Sequence, residues 1–120
     1  MAYWFLMLGG LLSLVGMLFH GFIGGKIYVT NIKKSDLEPL GKSLSIFSWQ
    51  FHTIFLFVSA VSLFYIAYNP DYAIAAYPII GISCLGAILF IWFGLENRDL
   101  LKLPGAILMG GIAILAWLAI

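Results

Sequence analysis

Long apolar stretches separated by short polar ones dominate the chain, and four of them approach the ~20 residues that a helix needs to cross ~30 Å of hydrocarbon. They run from Ala2 to Gly25, Ser43 to Tyr68, Tyr72 to Gly94 and Pro104 to Ile120. Asn69-Pro70-Asp71 is a turn signal between the second and third stretches. Pro78 lies near the start of the third, where a mild kink is expected, and Pro104 suits the first turn of the fourth, where a missing N–H costs nothing. No basic residue precedes Tyr3-Trp4-Phe5, and the first stretch is too long for the apolar part of a signal peptide, so it is expected to stay as a helix. The pattern predicts an all-α polytopic membrane protein: one domain over residues 1–120, with four transmembrane helices (about 2–25, 43–68, 72–94 and 104–120) in an up-down antiparallel bundle.

Composition agrees with lipid as the solvent, because 63% of the residues are hydrophobic and 9% charged, more apolar surface than a soluble domain of 120 residues can bury. The net charge of +1 offers no basic surplus for nucleic acid. The single cysteine, Cys84, rules out an intramolecular disulfide. Lys26, Lys33, Lys34 and Lys42 lie in the first loop and Arg98 and Lys102 in the third, whereas the second has only Asp71. Since basic loops stay cytoplasmic, this asymmetry predicts an N-out, C-out protein, with both termini on the outer side, periplasmic or extracellular. Tyr3, Trp4, Tyr68, Tyr72 and Trp117 at one rim, and Tyr28, Trp49 and Trp92 toward the other, fit interfacial belts. The stretch from Lys26 to Lys42 reads as a solvated connector, with a short interfacial turn or helix at Ser35 to Leu40 as the alternative.

Candidate chemistry is sparse. No Asp, Glu, Lys or Arg lies deep in a span, which argues against proton-coupled transport. On the first helix Gly9, Ser13, Gly16, His20 and Gly24 fall on one stripe, and on the second Ser45, Ser48, His52, Ser59 and Ser62 share a side. Small-residue stripes of this kind favour close helix approach and association, either as a homo-oligomer or with other membrane subunits. His20 lies about five residues from the end of its span and His52 about nine from the start of its own, roughly 7 and 13 Å at helical rise, so the two rings are expected to meet.

Two neighbouring imidazoles in a bundle open several readings. The first is a b-type haem held by His20 and His52, with Gly16 and Gly24 making room for the macrocycle and Lys26 and Lys42 meeting its propionates. A copper or zinc site would add Met17 or Cys84 as soft ligands, and contact with a quinone is a further reading. The plainest alternative is a packing pair hydrogen-bonded to serine hydroxyls or backbone carbonyls. Three functional classes follow: a haem- or metal-binding redox or accessory subunit, a non-catalytic assembly or structural subunit of a membrane complex, and an oligomeric small-solute transporter or channel.

His20 followed by Gly24-Gly25-Lys26, then Trp49 with Thr53, then Arg98 shortly before Leu103-Pro104, resembles the pattern of a family of small, functionally uncharacterised four-helix bacterial inner-membrane proteins. In that family a histidine directly follows the tryptophan. Here Gln50 takes that place and His52 lies two residues on. The resemblance spans most of the chain and implies the four-helix fold and the bacterial membrane setting, without an activity.

Overall fold

A computed structural model describes all residues from Met1 to Ile120 as an all-α fold of four helices. They are α1 (Ala2–Lys34), α2 (Pro39–Tyr68), α3 (Pro70–Glu96) and α4 (Gly105–Ala119); the first three are long and apolar enough to cross a membrane. At 15 residues, α4 spans about 22 Å at helical rise, short of the ~30 Å hydrocarbon core. Both termini lie at one end of the molecule, with the α2–α3 turn. The two charged connections lie at the other, called here the loop end.

The first helix does not stop near Gly25. It passes from α-helix (Ala2–Leu18) into an eleven-residue π-helical stretch, Phe19–Val29, and resumes as α-helix over Thr30–Lys34. Most of the expected connector is therefore helical: α2 starts at Pro39, which occupies the first turn where its missing N–H is harmless, and only Ser35–Glu38 separates the two helices. With 33 and 30 residues, α1 and α2 outrun α3 and α4 at the loop end, and together they set the 49 Å long axis. The expected kink at Pro78 is absorbed earlier. Residues Pro70–Ala75 form a 3-10 turn, and Pro78 falls in the first turn of the regular α-helix Ala76–Glu96, where it breaks no bond.

Packing is uneven along the bundle. Leu6, Leu56, Leu63, Ile66, Ala76, Ile79, Ile112 and Ala116 form a buried cluster toward the termini. There α1 sits between α2 and α4, and glycines set the spacing: a Cβ on Gly9 would stand 3.4 Å from Leu63, and one on Gly16 only 2.7 Å from Leu108. Ser13 on the same face donates to the Leu56 carbonyl at 2.7 Å. The stripe expected from the sequence thus faces the chain's own helices. Tyr3 and Tyr68 share a hydroxyl hydrogen bond of 2.9 Å that ties the start of α1 to the end of α2. Helices α2 and α3, although joined by a tight turn, diverge from it and scarcely touch along their length. The bundle is closed toward the termini and open toward the loops.

Gly16→Leu should clash with Leu108 and lower thermal stability in detergent by about 1–3 kcal/mol, whereas Val15→Leu, on an exposed position, should leave it within about 0.5 kcal/mol. Gly81 has open space where a Cβ would go, so Gly81→Ala should raise stability by up to about 1 kcal/mol. Thermal melts of the three variants check both statements.

Candidate functional site

The wedge between α2 and α3 holds a cavity of about 400 Å³. Its back wall is α1 (Gly16, His20, Gly24) and α4 (Gly105, Leu108, Met109); its sides are Trp49, His52 and Leu56 from α2 and Leu89, Phe90 and Phe93 from α3. Leu56, 1% exposed, is its most buried apolar lining residue, and Leu100, Leu103 and Pro104 of the last connection also line it. Leu89 and Phe93, 55% and 52% exposed, bring the cavity to the apolar surface of α3.

Its polar content comes from one cluster. His20 stacks on Trp49 with ring centroids 4.0 Å apart and planes within 14°. The Trp49 indole N–H donates to the His20 carbonyl at 3.1 Å, inside the π-helical stretch. Glycines admit this approach, because a Cβ on Gly24 would lie 2.8 Å from the indole, and one on Gly21 would lie 2.8 Å from the Thr53 methyl. The Thr53 hydroxyl donates to the Trp49 carbonyl one turn back, at 3.3 Å. The same hydroxyl lies 2.8 Å from His20 Nδ1, and which of the two donates depends on the imidazole tautomer. His20 Nε2 has no hydrogen-bond partner within the chain. His52 meets His20 edge to face, with centroids 4.8 Å apart, and makes no hydrogen bond within the chain.

This geometry corrects the haem and metal expectations. No group of three or more His, Cys, Asp or Glu side chains comes together anywhere in the chain. A bis-histidine haem needs its macrocycle between the two imidazoles, but His20 and His52 are in contact with each other, and the stacked face of His20 is covered by Trp49. Gly16 and Gly24 line the cavity, yet the room they leave is taken by Leu108 and Trp49. The proposed propionate partners are elsewhere: Lys42 donates to the Lys33 carbonyl at 2.9 Å, and Lys26 is exposed outside the cavity. For copper or zinc, Met17 packs against the core and Cys84 is exposed, and neither lines the cavity. Two imidazoles without a third ligand do not make a closed copper or zinc site.

Sequence reasoning brought His20 and His52 together by depth but gave Trp49 only a place in an interfacial belt. The structure has Trp49 half-buried against His20, while Trp4, Trp92 and Trp117 are exposed. The available signal was the i, i+4 pair Trp49 and Thr53 opposite Gly21 and Gly24, which share one contact surface. The residues of the short motif, His20, Gly24, Gly25, Trp49 and Thr53, converge here. Comparison with protein-family models finds no match, nor does comparison with curated proteins or with solved structures. The motif supports no family assignment; the chain is a compact, largely apolar four-helix protein consistent with a small membrane-spanning fold.

Thr53→Val removes the hydrogen-bond partner of His20 Nδ1 and should cost about 1–2 kcal/mol of stability. Imidazole ¹⁵N spectra should show one dominant tautomer at His20 in the parent chain and a tautomer mixture in the variant.

Proposed function

We propose that the chain is a non-catalytic accessory subunit of a bacterial inner-membrane assembly, whose cleft between α2 and α3 receives an apolar group. The observation that carries this reading is the cleft itself: about 400 Å³, nearly all apolar, and lined in part by Leu89 and Phe93, which are half exposed on the surface of α3. Pockets of this size and lining are typical of sites for small hydrophobic molecules. Only 22 of 120 residues are buried, so most side chains on the long helices need lipid or a neighbouring subunit as their environment.

In this reading all four helices traverse the membrane, with N-out, C-out orientation. The six Lys and Arg residues all lie at the loop end, against a lone Asp71 in the opposite turn. The short α4 is backed along its length by α1 and α3, which reduces the span it must satisfy alone.

Two experiments test the proposal. A photo-crosslinking benzophenone residue replacing Phe93, half exposed in the cleft lining, should give discrete adducts in native membranes, and one replacing Ile107, 81% exposed and outside the cleft, only diffuse phospholipid labelling. Indistinguishable patterns would remove the cleft as a site. For orientation, a cysteine placed at Lys33 should be protected from an impermeant thiol reagent in intact cells and one at Asp71 labelled; the reverse would invert the topology.

A further inference from the structure

We propose that the occupant of the cleft is a hydroquinone-type lipid, an aromatic ring bearing free hydroxyl groups on an apolar tail; this rests on the cleft reading above and adds the identity of the guest. Three observations converge on that chemistry.

The first is the hydrogen-bonding inventory. Thr53 engages His20 Nδ1, while Nε2, a donor or an acceptor according to the tautomer, has no partner in the chain. His52 presents one donor and one acceptor with no partner in the chain. Both rings line an apolar cavity, and a guest hydroxyl, which both donates and accepts, can pair with His20 Nε2 in either tautomer and with His52. A quinone ring carries carbonyl acceptors only and leaves the unprotonated nitrogen of His52 unsatisfied. A hydrocarbon leaves both histidines unsatisfied.

The second is shape. Phe19, Tyr28, Trp49, Phe90 and Phe93 surround the imidazoles, which suits a flat ring held by offset or edge-to-face contacts. The third is access. No Lys or Arg lines the cavity, and its lining reaches the apolar surface of α3 at the half-exposed Leu89 and Phe93. A charged headgroup has no counter-ion inside, whereas a neutral ring with a trailing apolar tail can enter there and leave the tail in lipid. The proposal concerns binding of the reduced ring and involves no electron transfer.

Because the chain has two histidines, full-length protein labelled with ¹⁵N-histidine in lipid nanodiscs gives a spectrum in which each imidazole is followed separately. It is titrated with decyl-hydroquinone, decyl-benzoquinone and decylbenzene. The expected result is a saturable shift of His20 Nε2 and of His52 with the hydroquinone, bound about ten-fold more tightly than the quinone or decylbenzene, in line with one satisfied hydrogen bond to an otherwise orphaned group. His52→Leu should weaken binding by a similar factor. Leu89→Trp, at a half-exposed position of the lining, should block binding with both histidines intact and the melt unchanged. Equal affinity for decylbenzene and the hydroquinone would overturn head-group recognition while leaving the cleft as an apolar site. No saturable shift with any of the three would overturn the proposal, and crosslinking from position 93 reports independently on whether the cleft is occupied at all.

Discussion

The close approach of α1 to its neighbours is the constraint on which everything else depends. Between helices in lipid there is little hydrophobic driving force, so van der Waals contact and a few hydrogen bonds must hold them together. Gly9, Gly16, Gly21 and Gly24 supply that contact by letting Leu63, Leu108, Thr53 and Trp49 come in to distances at which an added Cβ would be crowded or clash. The same approach sets the chemistry of the site, since a side chain at Gly24 would push Trp49 away from His20. Without the indole and Thr53 in place, the imidazole would lose the stacking partner and the hydrogen bond that orient it.

The wedge follows from how α1 distributes its contacts. It packs against both α2 and α4, while α3 packs on α4, which leaves α2 and α3 as the sequential pair with the least shared surface. Large side chains toward the termini, Leu63, Ile66 and Ile79 among them, fill that end. Toward the loops α3 offers Gly86 and the half-exposed Leu89 and Phe93, which do not reach across. The cleft is thus the place where a sequence with few buried residues stops filling its own interior.

Much of this was legible in the sequence, and the misses have physical causes. Hydropathy located four helices, and helical rise placed His20 and His52 at matching depths, where their rings do meet. Hydropathy could not place the end of α1, because Lys26 lies on an exposed side and does not interrupt backbone hydrogen bonding, so the helix continues to Lys34. The π-helical winding left no trace beyond the density of Gly21, Gly24 and Gly25. The haem and metal readings failed because adjacency of two imidazoles says nothing about the gap between them: here that gap is closed by mutual contact, and Trp49 and Thr53 already claim the ring of His20.

The π-helical stretch has a consequence for how the sequence of α1 can vary. A π-turn holds more residues than an α-turn, so eleven residues wound this way rotate less about the axis than the same eleven in an α-helix. The segment Ala2–Leu18 and the segment Thr30–Lys34 are therefore out of phase with each other, although they belong to one continuous rod. Each end can keep its own inward side: the glycine stripe toward α2 and α4 at one end, and Lys33 and Lys34 facing solvent beside α2 at the other. The stretch works as a rotary coupling, and it frees the membrane-buried and water-facing parts of a single helix to diverge in sequence without sharing one periodicity.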